Sequence, residues 1–324
     1  MLLGIMTLFF VDAGAAASAL RTRGMDAALH EDSDTKSKPK TFFWDNASSL
    51  DDKQFKSFFR VTKAVFNSIV QKISASSIFL TPANVGSRAL TVDRQLGVFL
   101  LRGGGQTCSV IASLMDVSLS SVVTATERVC QAIIECYPHA INLAPEGQEK
   151  ERQLNAFAEK GFPGGRCIVD VCKMKVTVET DVARAGRRHE FIDRHTQVVQ
   201  SYQYAVDSEY RILHVCGGQG GPMSDQTIFY QSPLYTRLAA LLRKGEYYLG
   251  DKGYALREYI VSGFRKNEIS AAPLSIAQAM SFFNRRFSGT RNIVERVFGI
   301  LKARFPLLAE GSEWRARVAC VAGH

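Results

Sequence analysis

The chain has 324 residues, of which 46% are hydrophobic and 22% are charged, and its formal net charge is +9. This length allows two domains with their own cores, and the composition excludes a disordered or fibrous chain. The positive charge favours an anionic partner, most commonly nucleic acid, although a merely basic soluble protein has the same charge. The seven cysteines are odd in number and contain no CxxC pair, which argues against a disulfide framework or a zinc site.

The chain begins with a short apolar run, MLLGIMTLFF, followed by small residues. The run has no positive charge before it and is too short to span a bilayer. A leader or a misassigned start codon is therefore favoured, and a secretory signal stays open. We predict a flexible leader over residues 1–41 and no membrane segment elsewhere.

Residues 42–137 predict an all-helical domain. Apolar residues recur at helical intervals over 51–73, where Asp51 and Asp52 suit a helix N-terminus by charge, and residues 92–102 predict another helix. This domain ends in two predicted helices with a short turn between them.

The two helices, 109–116 and 120–135, have the spacing of a helix-turn-helix. The second helix offers few outward polar groups for base recognition, namely Ser121, Thr124 and Arg128. A plain helical hairpin is therefore at least as good an interpretation.

Residues 138–161 predict a linker, and residues 162–324 predict a second domain of the α/β class. The predicted strands are 167–176, 198–207, 210–218 and 246–251, and a long helix is predicted over 274–305. Three strands, a helix, a strand and a closing helix are the element order of a ribonuclease-H-like fold.

Three acidic residues occupy distinctive positions in this second domain. Asp170 lies in the first strand, Asp251 ends the fourth strand, and Glu295 lies beside the apolar stripe of the last helix. Acids on two strands and a packed helix can converge, as a nuclease needs for holding Mg²⁺ ions against a phosphodiester. Taken singly, each has a plainer explanation: a solvent-facing strand residue, a turn former, and an ion pair with Arg291.

The motifs around these acids resemble those of PIF/Harbinger-type transposases and of the nucleases derived from them. GRCIVDVCKMKV is similar to the family's G-x-I-D-G-T-H-I, and YYLGDKGYALREYI to its L-x-G-D-x-G-Y-x-L-x-P-x-L. FNRRFSGTRNIVERVFGILKARFPLL is similar to F-N-x-x-x-S-x-x-R-x-x-V-E-R-x-F-G-x-L-K-x-R-F-x-x-L. The resemblance extends from about Phe55 to Cys320.

The resemblance implies a ribonuclease-H-like DDE domain with a mixed sheet and flanking helices, preceded by a helical domain with a helix-turn-helix. Asp170, Asp251 and Glu295 would be the catalytic triad and would bind Mg²⁺ or Mn²⁺. Asp225 matches a further family acid, as a fourth ligand or, preferably, as a residue that starts a helix. We add three candidate phosphate contacts: Arg291, Lys302 and Arg304.

The implied activity is divalent-metal-dependent cleavage of DNA, in the nucleus, with a separate Myb/SANT-like protein supplying sequence specificity and a homo-oligomer left open. Two departures support an alternative, an inactive domesticated DNA-binding or scaffold protein. Val171, Cys172 and Lys173 replace the family's Gly-Thr-His, and the end of the chain stops short of the family pattern. Lys173 could contact phosphate or point to solvent. A metal-dependent phosphatase would also use the acids, but it explains neither the charge nor the helical domain.

Overall fold

The computed structural model describes residues 43–80, 90–143, 145–178, 186–254, 258–310 and 315–316. The predicted leader and the last eight residues lie outside the described residues. The described residues divide into two compact units, one of residues up to 137 and one of residues from 138 onward.

Helices alone make up the described part of the first unit. They are α1 Phe43–Asn46, α2 Asp52–Phe59, α3 Lys63–Ile73, α4 Ser77–Leu80, α5 Val92–Gly103, α6 Cys108–Met115 and α7 Leu119–Cys136. The rings of Trp44, Phe55, Phe59 and Phe66 pack together at centroid distances of 4.5 to 6.3 Å. The expectation of an all-helical arrangement is therefore confirmed for these residues.

The single helix expected over 51–73 is wrong, because the chain forms α2 and α3 instead. Arg60 ends α2 in the left-handed conformation with a φ of 64°, and the Thr62 side chain caps the start of α3. Asp51 is the N-cap of α2, and Gln54 completes its capping box. Two local capping signals therefore override a continuous helical periodicity.

Helices α6 and α7 meet at an angle of 95° after the short turn of residues 116–118. Arg128 does not point outward as expected, because its Nη2 donates to the Ile78 carbonyl at 2.6 Å and its guanidinium lies 5.2 Å from the centre of the Phe79 ring. No single helix in the described part of the chain is long and apolar enough to cross a membrane. By length and composition alone, the bent pair of α6 and α7 is.

The second unit contains a sheet with helices packed against it. Its strands are β1 Gly165–Lys175, β2 Thr177–Val178, β3 Val199–Val206, β4 Ile212–Gly220, β5 Tyr247–Gly250, β6 Ile260–Val261 and β7 Arg315–Ala316. Its helices are α8 Gly147–Glu159, α9 Asp225–Tyr230, α10 Pro233–Thr236, α11 Leu238–Leu241, α12 Lys266–Ala271, α13 Leu274–Arg304 and α14 Leu307–Glu310.

Five of these strands form one mixed sheet in the order β4-β3-β1-β5-β6. Strands β1, β3 and β4 are antiparallel neighbours, whereas β5 runs parallel to β1 and β6 parallel to β5. Strands β2 and β7 form a separate parallel pair. The predicted α/β class, with a mixed sheet and flanking helices, is confirmed.

The expected linker contains a regular helix, α8, which packs on β1. Phe157 is fully buried, and Gln153 one turn earlier is also buried. Glu and Gln are good helix formers, and a single buried aromatic face is enough to dock such a helix. The polar composition of this segment concealed that face.

The two faces of β1 serve different purposes. Cys167 and Val169 belong to the apolar core that β1 shares with α9, α10 and α11. Asp170 pairs in register with Tyr204 of β3, whose ring lies 5.2 Å from the Phe298 ring of α13. Because successive strand residues alternate between faces, Asp170 lies on the face covered by α13.

Candidate functional site

Asp170 lies in the middle of the central strand, where both neighbouring strands fix its position. Its backbone pairs with Tyr204, and the preceding Val169 pairs with Gly250 of β5. The side chain is buried, and its Oδ1 accepts a hydrogen bond from the Val171 backbone N–H at 2.9 Å. The strand therefore presents toward α13 a carboxylate of which one oxygen is hydrogen-bonded to the backbone.

Asp251 follows β5 directly, beside Asp170, because the parallel register places Gly250 opposite Val169. The chain then turns back, and the Tyr254 N–H donates to the Asp251 carbonyl at 2.9 Å. A Cβ at Gly250 would lie 3.0 Å from the Tyr254 ring, so a larger residue there would force the ring to shift. The turn leaves the Asp251 side chain 35% exposed.

Helix α13 supplies the third acid and a cation one turn before it. Val294, Val297 and Leu301 are fully buried and fix the rotation of the helix against the sheet. Arg291 and Glu295 are four residues apart, so both side chains lie on one side of the helix. Glu295 is 58% exposed and Arg291 only 19%.

The guanidinium of Arg291 joins the three acids into one cluster. Its Nη1 donates to Asp251 Oδ1 at 2.9 Å, and its Nη2 donates to Asp170 Oδ2 at 2.9 Å. The same Nη2 lies 3.6 Å from Glu295 Oε1. We call these four residues the Arg291 cluster, and its geometry brings together the three acids that sequence analysis selected.

Within the Arg291 cluster, burial and ion pairing shift the pKa values of the charged groups in opposite directions. Burial raises the pKa of the Asp170 carboxyl above its ordinary value, and the Arg291 guanidinium offsets part of that shift. Burial acts to lower the pKa of Arg291, but the charges of Asp170 and Asp251 outweigh it and raise that pKa. The cluster therefore favours a cation among its carboxylates.

Asp225 is a fourth acid at this end of the sheet. It begins α9, as expected, although the N-cap is Ser224, whose side chain accepts from the Thr227 N–H. Burial and the charge of Asp251 raise the pKa of the Asp225 carboxyl. A Cβ at Gly253 would lie 4.0 Å from Asp225 Oδ2, so this carboxylate lies against the turn that follows Asp251.

Lys173, three residues after Asp170, connects β1 to two neighbouring segments of the chain. Lys173 Nζ donates to the Gly221 carbonyl at 3.0 Å and lies 3.8 Å from Asp193 Oδ2. Sequence analysis missed this role, because Gly221 and Asp193 carry no motif that links them to the strand. Lys302 of α13 donates to the Lys173 carbonyl at 3.3 Å, and Arg304 is half-buried in the last turn of α13.

The residues of the Arg291 cluster fit a divalent cation in their chemistry. Carboxylate oxygens are the ligands that Mg²⁺ and Mn²⁺ prefer, and two of them already converge on one positively charged group. In the described part of the chain, no group of three or more His, Cys, Asp or Glu side chains is arranged to hold a metal as it stands. The Arg291 guanidinium is the cation that lies among these acids in this structure.

Comparisons with known proteins point to the same region. Residues 169–319 match the family model of the DDE superfamily endonuclease. The chain is 23% identical over 299 residues to Protein ALP1-like of Arabidopsis thaliana, which covers 84% of this chain and 69% of that protein. It is 24% identical over 288 residues to the Arabidopsis thaliana Protein Antagonist of Like Heterochromatin Protein 1, covering 83% and 71%. No solved structure matches significantly.

Proposed function

We propose that the chain is a divalent-metal-dependent DNA nuclease of the Harbinger transposase type with a ribonuclease-H-like catalytic domain. The match of residues 169–319 to the family model of the DDE superfamily endonuclease supports this proposal. The convergence of Asp170 and Asp251 on a single cationic group, with Glu295 beside it, is the observation that supports this most directly. The match to the family model includes all three acids. The net charge of +9 suits a DNA substrate.

Asp170 and Asp251 would hold the metal, and Glu295 would complete the site. A bound Mg²⁺ or Mn²⁺ would stabilise charge on the phosphoryl oxygens and ease deprotonation of the attacking water. Asp170 is fixed by β1 and Asp251 by the turn after β5, so both carboxylates keep their positions when the guanidinium leaves. Asp225, against the same turn, is a candidate for a further ligand.

Arg291 has two roles in this proposal. It neutralises the carboxylates before metal binds, because three acids without a counter-ion repel one another. Once displaced, its guanidinium would contact a DNA phosphate. Lys302 and Arg304 of α13 are the other two proposed phosphate contacts. The brace through Lys173 fixes the β1 end against which Lys302 lies.

DNA recognition by this chain alone would be weak and sensitive to salt. Arg128, the most suitable base-contacting side chain of α7, is committed to the Ile78 carbonyl. We therefore propose that a separate Myb/SANT-like protein supplies specificity in the nucleus. The affinity for DNA should fall steeply with salt, since phosphate contacts release counterions.

The alternative is a DNA-binding or scaffold protein that has lost cleavage. Its support is the Arg291 guanidinium between the acids, together with a relative named as an antagonist of like heterochromatin protein 1 rather than as a nuclease. In that case the ion pairs are permanent, and the cluster only holds α13 on the sheet.

Nicking of supercoiled plasmid DNA by the full chain with Mg²⁺ or Mn²⁺ separates these functions. We expect Asp170→Asn and Asp251→Asn each to lower nicking by at least about ten-thousandfold, the scale seen when a group of a catalytic unit is removed. Glu151→Gln, an exposed acid on α8, is the matched control and should leave nicking unchanged. Nicking that survives both aspartate variants would exclude this active site, and wild-type DNA binding without nicking would favour the scaffold.

A further inference from the structure

A pocket of about 510 Å³ lies in the second unit, on the face of the sheet opposite α13. Its floor is buried, because Phe229, Leu238 and Tyr254 belong to the apolar core beneath β1. Its rim reaches solvent, because Tyr235 is 42% exposed and Glu258 is also exposed. The pocket is therefore accessible to a ligand from solvent and is not a closed gap in the core.

Five aromatic side chains line this pocket, which we call the aromatic pocket: Phe229, Tyr230, Tyr235, Tyr254 and Tyr259. Their ring planes are steeply inclined to one another. The Tyr230 and Tyr235 planes meet at 72° with 4.8 Å between ring centres, and those of Phe229 and Tyr254 meet at 84° with 5.5 Å. Walls inclined in this way can contact a compact ligand from more than one direction, and their edge-to-face contacts fix them before it binds.

The charge of the lining favours a cation. Glu258 is the one charged side chain among the described residues that line the aromatic pocket, and none of those residues is Lys or Arg. The faces of aromatic rings carry negative partial charge, so they attract a cation within about 6 Å of a ring centre. An anion would be repelled both by these faces and by the carboxylate.

The cost of removing water selects among cations. A plain ammonium group is strongly hydrated and would lose that water between the rings. Methyl groups replace its N–H donors and spread the same charge over an apolar surface, which is why aromatic walls suit quaternary ammonium ions. The volume of the aromatic pocket lies within the range of small-molecule sites, about 300–1,000 Å³.

We propose that the aromatic pocket binds a trimethylated lysine side chain of a partner protein, with the methylated head between the rings and Glu258 at the rim. A choline headgroup has the same quaternary nitrogen, but its phosphate lies only a few bonds away and would be repelled by Glu258. A methylated lysine carries no such anion. This binding is separate from DNA cleavage and does not depend on the Arg291 cluster.

The test measures the fluorescence anisotropy of three labelled peptides with the full chain. The peptides share one sequence of glycine and serine and differ in their central residue: trimethyllysine, lysine, or the neutral analogue of trimethyllysine with a tert-butyl head. The tert-butyl head has the shape of the methylated head without its charge. We expect the trimethyllysine peptide to bind about tenfold more tightly than either of the others, the scale of a desolvated cation–π contact.

Substitutions in the lining identify the aromatic pocket as the source of that preference. Tyr235→Phe keeps the ring face and should keep the preference, whereas Tyr235→Leu removes the face and should lower it to less than about threefold. Phe282→Leu, at an exposed aromatic position on α13, is the matched control and should retain the preference.

A second substitution tests the carboxylate at the rim. Glu258→Gln should weaken the two cationic peptides by up to about fivefold, the upper end for an exposed ion pair, and should leave the tert-butyl peptide unchanged. Glu151→Gln, an exposed acid on α8, is the matched control and should bind all three peptides as the wild type does.

Several outcomes would overturn the methyl-lysine site. Equal binding of the trimethyllysine and tert-butyl peptides is the result expected of a purely apolar groove. A Tyr235→Leu variant that keeps the preference, or a wild type that binds none of the peptides, excludes the aromatic pocket as the site. Displacement of the trimethyllysine peptide by phosphocholine at a lower concentration than by free trimethyllysine would show that the ligand is a choline headgroup. Cationic peptides that bind Glu258→Gln and the wild type equally would exclude the role of Glu258.

Discussion

Two arginine-centred clusters in the second unit differ in how their carboxylates are satisfied. In the Arg211 cluster, the fully buried Asp207 accepts hydrogen bonds from the backbone N–H groups of Glu209 and Arg211, both at 2.9 Å, and from Arg211 Nε at 2.6 Å. Arg211 also pairs with Glu149 of α8. These contacts tie the β3–β4 turn to a neighbouring helix and leave Asp207 little capacity to bind anything else.

In the Arg291 cluster, by contrast, backbone contributes little. Asp170 accepts one N–H bond from Val171 and one from Arg291, and Glu295 is mostly exposed at 3.6 Å from the guanidinium. Carboxylates held mainly by one side chain can exchange that side chain for another cation. Satisfaction by the local backbone therefore distinguishes Asp207, with two backbone N–H bonds, from Asp170, with one.

Removing the arginine from each cluster tests this difference most strongly. We expect Arg211→Gln and Arg291→Gln each to lower the free energy of unfolding by about 3 kcal/mol, because a buried carboxylate loses its partner. Urea denaturation with and without Mg²⁺ then separates them. Mg²⁺ should restore more stability to Arg291→Gln than it adds to the wild type, and should give Arg211→Gln only the wild-type increment. Equal increments in all three proteins would contradict the distinction.

Acid should destabilise the second unit through the protonation of His214, which lies in β4 three residues after Arg211. Burial, with the charge of Arg237, lowers the pKa of His214 from 6.5 to about 4. Between pH 6.5 and 4, His214 is protonated in the unfolded chain but stays neutral in the folded chain. Its contribution to the free energy of unfolding is therefore complete above pH 6.5 and is lost as the pH falls toward 4. The loss should reach about 3 kcal/mol.

The measurement is the free energy of unfolding against pH for the wild type and His214→Gln. The variant should show a shallower decline between pH 6.5 and 4, and parallel curves would show that His214 titrates normally.

The smallest stability effect is expected at Glu295. Glu295→Gln removes one negative charge from an exposed position, so the metal-free protein should be as stable as the wild type, or more stable by a few tenths of a kcal/mol. The stabilisation by metal, about 2.7 kcal/mol at a hundred times the dissociation constant, should largely disappear. A thermal-shift titration with Mg²⁺ and Mn²⁺ measures both. An unchanged metal response would remove Glu295 from the site.

The proximity of the three acids was predictable because each lies in or directly after a strongly patterned element, whereas their role as a site stays a prediction. The apolar strand around Asp170 and the buried stripe of Val294, Val297 and Leu301 specify which face is covered. The bridging role of Arg291 was not predictable, because an i,i+4 pair on a helix is usually a solvent-exposed pair. Only the register of β1 with β5 places Asp170 and Asp251 within reach of the same guanidinium.

Other features escaped sequence analysis for physical reasons of their own. The inward turn of Arg128 depends on Ile78 and Phe79, about fifty residues earlier in the chain. The left-handed Arg60 breaks a periodicity that continues on both sides of it. The rings of Phe229, Tyr235 and Tyr254 combine α9 and α10 with the turn after β5, so their contacts form only after the sheet has folded.

The 31-residue helix α13 carries both Arg291 and Glu295 on one continuous backbone. Arg291, which pairs with the acids, and Glu295, which would help to bind a metal, therefore lie on the same helix. The rotation of that helix is fixed by its buried residues. In the proposed nuclease, replacing the Arg291 guanidinium by a metal ion would require new side-chain rotamers and no domain closure on the microsecond to millisecond scale. Because Arg291 is only 19% exposed, the rate of metal entry should depend on breaking its ion pairs with Asp170 and Asp251 and not on the motion of the chain.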